Sequence, residues 1–320
     1  MAEIDLAKYN IHTDLIIEKE NLTEEELVDG ISVTKTENNG LYYTITFNDI
    51  TDSDNYEKVL KVLITNLKDI LKKNNITDND SCLIIGLGNR LSTPDSLGPL
   101  VTDKLVITRH LYLLNKVSPG YRMTSSITPG VMSATGIESA DIIKAVIKKI
   151  KPSFVIAVDA LSAGSIERIV KTIQITDTGI HPGSGIGNNR TEISNKTVSV
   201  PVIAIGIPTV TSSSTIVLNT IEYLTKHIAY LKNNEEVNRL TYLNRNYLSK
   251  LKDNELSTEE RINLLGLIGS LNNNETNNLI NEVLNKTSLN SIVTPTEIDF
   301  LINKLSLLIS SAINNTLHNI

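Results

Sequence analysis

The chain has 320 residues, a formal net charge of -6 and 40% hydrophobic residues. That composition excludes a disordered chain and offers no basic stripe for direct nucleic-acid binding. Its single cysteine, Cys82, excludes an internal disulfide framework and a cysteine-rich zinc site.

Residues 1–30 are polar and acidic, with a short apolar island at Leu15-Ile16-Ile17. The opening MAEIDLAKYN lacks the apolar core of a secretory signal, and no apolar run approaches the ~18 residues that a membrane span needs. A soluble cytoplasmic protein is expected. Two β-type runs then flank Asn38-Asn39-Gly40, a hairpin turn signal. Val59, Leu60, Val62, Leu63, Leu67, Ile70 and Leu71 share one face of a helix over 55–73.

From residue 83 strands and helices alternate. Strands are expected at 83–87, 122–127, 154–158, 171–176 and 202–207, and helices at 96–114, 136–150 and 215–231. Apolar strands alternating with helices predict an α/β fold on a mostly parallel twisted sheet, with helices on both faces. The N-terminal β-hairpin stands before it. After an Asn-rich stretch, helical segments at 261–271, 277–284 and 296–317 predict a C-terminal helical appendage over 232–320.

In open parallel sheets, ligands bind outside the carboxyl ends of the strands. Four polar, Gly-rich segments follow predicted strands here: GLGNRLSTPD, DALSAG, TDTGIHPGSGIGNNR and GIPTVTSSS. If their strands are all parallel, these loops converge. Gly86-Leu87-Gly88-Asn89 is not a dinucleotide fingerprint, because Leu91 stands where a third glycine is needed. A nucleotide- or phosphate-binding module is therefore the weaker reading of this loop.

Asp95 follows Pro94 just before a predicted helix, so it either caps that helix or serves chemistry. Asp159 closes the apolar run Phe154–Val158. Two carboxylates at adjacent strand ends can share a proton. One then acts as a base on water while the other, protonated, polarises a carbonyl. His181, in its Gly-rich loop, could join Asp95 and Asp159 as ligands of a divalent metal.

These segments closely resemble the germination proteases of endospore-forming bacteria. The motifs that carry the likeness are CLIIGLGNRLSTPDSLGPL, TPGVMSATGIESADII, KPSFVIAVDALSAGSIERI, TIQITDTGIHPGSGIGNNRTEIS and VPVIAIGIPTV. The resemblance implies an atypical aspartic endopeptidase that degrades small acid-soluble, DNA-binding spore proteins during germination. It carries the catalytic pair onto Asp95 and Asp159, with no cofactor. Gly86, Gly88, Asn89, His181, Gly183 and Ser184 would shape the cleft. It also implies a zymogen: a propeptide over 1–14, removed by self-cleavage between Asp14 and Leu15, ahead of a peptidase domain over 15–320. A homotetramer in the spore core, free of membrane and nucleic acid, completes what the family implies. The more distant likeness to hydrogenase-maturation endopeptidases keeps a metal on Asp95, Asp159 and His181 as the alternative. One departure stands out: Thr211-Ser212-Ser213 follows GIPTV, where the family commonly has an acid.

Overall fold

The computed structural model describes residues 13–19, 24–182, 191–233, 251 and 254–318. Three strands come first: β1 (Glu24–Val28), β2 (Ile31–Glu37) and β3 (Leu41–Thr46). The expected hairpin joins β2 to β3, with Asn39 left-handed at φ 50°, a conformation asparagine tolerates. β1 adds to β2 in antiparallel register. Helix α1 (Ser53–Lys73) follows, its first turn capped by the Asp52 side chain, which accepts from the Asn55 amide. Lys72 and Lys73 stand in its last turn, where the helix dipole favours cations.

The remaining strands are β4 (Cys82–Gly86), β5 (Thr124–Ile127), β6 (Phe154–Ser162), β7 (Thr172–Thr176), β8 (Val202–Ser212) and β9 (Ile292–Val293). The remaining helices are α2 (Leu97–Thr102), α3 (Arg109–Leu113), α4 (Met132–Thr135), α5 (Ser139–Ile150), α6 (Asn195–Val198), α7 (Ser213–Asn233), α8 (Thr258–Leu265), α9 (Leu267–Ser270), α10 (Asn273–Lys286) and α11 (Ile298–Leu317).

The expected helix over 96–114 is broken in two. Leu105–Thr108 lies between the pieces, and its backbone bonds elsewhere. Val106 N–H donates to Asn314, Val106 C=O accepts from the Thr124 hydroxyl, and Thr108 N–H donates to Thr124 C=O. Those partners replace the intrahelical ladder.

The sheet is mixed rather than purely parallel. Its order is β1-β2-β3-β7-β8-β6-β4-β5. Strands β8, β6, β4 and β5 run parallel, whereas β7 lies antiparallel to both β8 and β3. The physical reason is the connection after β6. Residues 163–171 hold one short 3-10 turn, and a parallel return needs a dozen or more residues, usually with a helix. The loop after β7 therefore leaves from the edge of the sheet opposite the carboxyl ends of β4, β6 and β8.

Directly paired residues point to the same face of a sheet. One face carries Ile156, Val158, Ile205, Ile175 and Ile45, all essentially inaccessible. Helix α1 lies on this face, with Tyr43 of β3 donating to Asp69, and α11 packs against α1 and α2. The opposite face of β6, β8, β7 and β3 is small and polar. It carries Ala157 and Asp159, Ala204 and Gly206, Gln174 and Thr176, and Thr44. Cys82 is buried in β4, and that burial pushes its thiol far above the usual range.

The described chain forms two compact units: residues 164–166 with 211–293, and the rest. Of the stretch 232–320, α8 to α10 belong to the former and α11 to the latter. In the former, Leu218 of α7 packs with Ile280 and Leu284 of α10, and β9 pairs with Thr211 and Ser212. The Ser212 hydroxyl accepts from the Thr215 amide at 3.0 Å in the first turn of α7, which is the capping work an aspartate does equally well.

His318, just beyond α11, is buried. Its Nδ1 accepts from the Arg122 amide at 3.2 Å, and its Nε2 lies 3.2 Å from the Val106 carbonyl. Both bonds form only if the neutral ring carries its proton on Nε2. Burial holds the imidazole below its ordinary range, and the Arg122 charge adds to the effect against the Val106 bond. A base whose native pKa is depressed is protonated first in the unfolded chain. Stability is therefore full above about pH 6.5, the unfolded value, and falls as pH drops below it. Urea unfolding at pH 7.5 and pH 5.5 should show that loss, and His318→Asn should lessen it.

Candidate active site

Asp95 is held by a knot of close backbone approaches. Leu87 N–H, just after β4, donates to Val158 C=O at 2.8 Å. The chain then turns at Gly88, whose φ is +111°. A Cβ there would stand 2.0 Å from the Asp95 carbonyl oxygen, and one at Gly86 would stand 2.3 Å from that of Gly98. Only glycine allows these approaches. Asn89 N–H donates to Asp95 C=O at 2.9 Å, and the Asn89 side chain accepts from Leu91 N–H at 3.0 Å. The Thr209 hydroxyl of β8 donates to Pro94 C=O at 2.7 Å. Asp95 ends a 3-10 turn over Thr93–Asp95, and this turn packs against β6. Ser96, not Asp95, occupies the position at the start of α2.

Asp159 lies on β6. It does not close the strand, as the apolar run suggests, because β6 continues beside β8 to Ser162. Asp159 is 4% exposed, and its Oδ1 accepts from the Ala160 amide at 2.9 Å. It pairs with Gly206, which pairs in turn with Gln174. Asp159, Gly206 and Gln174 thus form one row on the polar face, with the Leu161 side chain leaning over Gly206.

Residues 13–19 cross this same face. Asp14 N–H donates to Ser162 C=O at 3.1 Å, and Ser162 N–H donates to the Asp14 carboxylate at 2.9 Å. Gln174 Nε2 donates to Asp14 C=O at 3.2 Å, while its Oε1 accepts from Ile16 N–H at 2.7 Å. Leu15, between those two bonds, is 0% exposed. The Thr13 hydroxyl donates to Glu18 and receives Leu15 N–H at 3.1 Å. Buried Glu18 faces buried Arg168 at 3.6 Å. Burial pulls the Arg168 guanidinium down to about 10, so it stays charged at neutral pH.

A cleft of about 560 Å³ opens beside the segment, lined among others by Asp14, Leu161, Gln174, Gly206, His181 and Glu192. It reaches the neighbours of Asp159 without including Asp159 or Asp95. His181 lies in the loop after β7, its ring 60% exposed and 3.9 Å from Glu192. Among the described residues no three of His, Cys, Asp and Glu are grouped to hold a metal ion. Asp95, Asp159 and His181 are accordingly not brought together as such a group, and antiparallel β7 starts the His181 loop from the edge opposite the carboxyl ends of β4 and β6. Gly183 and Ser184 lie outside the described residues. Sequence reasoning missed Gln174. The signal for it was a polar residue between Ile173 and Ile175 in a strand.

The germination protease family model matches residues 7–320. The chain belongs to the germination protease family. As a member it is a peptidase. It is 41% identical over 355 residues to the germination protease of Bacillus velezensis, covering 99% of this chain and 95% of that one. With the germination protease of Bacillus subtilis it shares 40% identity over 352 residues, 99% of this chain and 96% of that one. That of Oceanobacillus iheyensis is 44% identical over 273 residues, 83% and 74% of the two chains. Among solved structures, a NiFe hydrogenase maturation protease from Thermococcus kodakarensis matches at 19% identity with a TM-score of 0.27, over 45% of this chain and 80% of that one. No helix among the described residues is long and apolar enough to cross a membrane.

Proposed function

We propose that this peptidase acts in the spore core and begins the degradation of small acid-soluble, DNA-binding spore proteins. In this reading it is made as a zymogen, cuts itself between Asp14 and Leu15, and works as a homotetramer. Its catalytic groups are Asp95 and Asp159. The observation that carries the reading is the course of residues 13–16. They run as a substrate would over the face that bears Asp159, with Asp14 bonded to Ser162 and Gln174.

The chemistry follows from two carboxyls sharing one proton. The ionised one takes a proton from water as the water oxygen attacks the carbonyl carbon. The protonated one donates to the carbonyl oxygen. Collapse of the tetrahedral intermediate breaks the C–N bond, and the proton first taken from water passes to the leaving amine. The two acids titrate as a pair, so no single pKa belongs to either. Substrate must leave DNA first, since cleavage needs an extended chain. The net charge of -6 suits an enzyme directed at proteins rather than at DNA.

The test is cleavage of an acid-soluble spore protein, with and without a strong chelator. Full activity in chelator is the expected result. Activity lost in chelator and restored by added divalent metal would overturn the metal-free mechanism.

A further inference from the structure

We propose that the Gln174 carboxamide is the neutral hydrogen-bond donor that receives the carbonyl oxygen of the bond to be cut. It would serve Asp14 during processing and a spore-protein substrate afterwards. The proposal rests on processing at Asp14–Leu15.

The position follows from strand alternation. Ile173 and Ile175 fill the apolar face, so Gln174 must project from the other. There it is 7% exposed. Its amide has a defined orientation. Oε1 accepts from Ile16 N–H at 2.7 Å, which leaves Nε2 to face the Asp14 carbonyl at 3.2 Å. The reversed amide would set oxygen against oxygen and N–H against N–H. The side chain therefore brackets Leu15, bonded to the carbonyl on one side of it and the amide on the other. It stands in the same row as Asp159, two strands and about 10 Å away.

When water adds to the Asp14 carbonyl carbon, the π electron pair moves to the carbonyl oxygen. A donor already aimed at that oxygen stabilises the developing charge without reorganising. Gln174 transfers no proton in this step, so the proton balance of the two acids is unchanged. After the C–N bond breaks, Leu15 and Ile16 withdraw with the new N-terminus, and a substrate's second residue beyond its cut bond then brings the N–H that Oε1 accepts. The departure of Asp14 leaves Nε2 facing the cleft that both residues line. A substrate carbonyl can then take the position that the Asp14 carbonyl held.

The experiment uses full-length Gln174→Glu. Glutamate keeps an acceptor for Ile16 N–H and replaces the donor with an acceptor. At neutral pH its processing should be slowed about a hundred- to thousandfold relative to wild type. Processing should recover in acid, where the carboxyl group is protonated and donates again. The variant that has processed itself in acid is then returned to neutral pH and given spore protein. There kcat should fall about a hundred- to thousandfold with KM little changed. A group that only anchors residues 13–16 would slow processing and leave that kcat at the wild-type value, and this result would overturn the proposal. Failure to recover in acid, with thermal unfolding like that of wild type, would overturn it too. Gln174→Met, which lacks both polar atoms, is a second variant and should not recover in acid. Sequencing the new N-terminus of wild type separates the two layers. An N-terminus other than Leu15 would sink the processing reading itself, whatever Gln174 does.

Discussion

Asp159→Asn protein should stay at full length and leave spore protein uncut, with at least about a thousandfold loss in both reactions. Asparagine fills the same space in β6 and keeps an oxygen to accept from the Ala160 amide. It cannot ionise, so it can neither take a proton from water nor share one with Asp95. A neutral amide in a strand position that is 4% exposed removes no obligatory buried charge. Thermal unfolding should therefore stay close to that of wild type. Asp95→Asn should behave alike. Gel analysis of processing and a peptide-release assay read both reactions. An active Asp159→Asn enzyme would remove the aspartate pair from the mechanism.

Gly88→Ala tests the frame that holds Asp95 and leaves both acids intact. The added methyl would stand 2.0 Å from the Asp95 carbonyl oxygen, at a φ of +111°. Backbone cannot yield there without moving the turn, because Asn89 N–H and Thr209 Oγ1 bond the same turn at Asp95 and Pro94. A loss of about 2–4 kcal/mol in urea unfolding is expected. The turn would shift by something near 1 Å, and processing should slow about a hundredfold even where the protein remains folded. Unchanged processing would mean that the geometry of this turn does not matter to the reaction.

Much of the local structure was legible in residues. The apolar face of α1 and its Asp52 start, the Asn38-Asn39-Gly40 hairpin, and the short strand before Gly86-Leu87-Gly88-Asn89 are set by neighbours a few positions apart. Side-chain period, turn conformation and caps are local properties, and sequence reports them directly. The two acids were legible for a related reason. A carboxylate next to a buried apolar run costs free energy unless something uses or satisfies it.

The strand after Pro201 shows where such reading stops. Residues 202–207 look uniformly apolar, yet Ala204 and Gly206 alternate with Ile203, Ile205 and Ile207. Large residues meet α1's side of the sheet, and small ones leave a shallow floor on the other. The size alternation was present in the sequence, but which face received residues 13–19 was not.

The sequence by itself therefore determined the α/β class, most strands and helices, the candidate acids Asp95 and Asp159, and the family. Tertiary structure alone decided that β7 runs antiparallel, that β6 passes beyond Asp159, and that Leu105–Thr108 leaves the helix. It also decided that Gln174 faces Asp14. Each of these depends on hydrogen bonds between residues far apart in the chain. A backbone amide's partner is settled by which distant strand lies alongside, and pairing with β8 carries β6 to Ser162, which leaves a connection too short for a parallel return to β7.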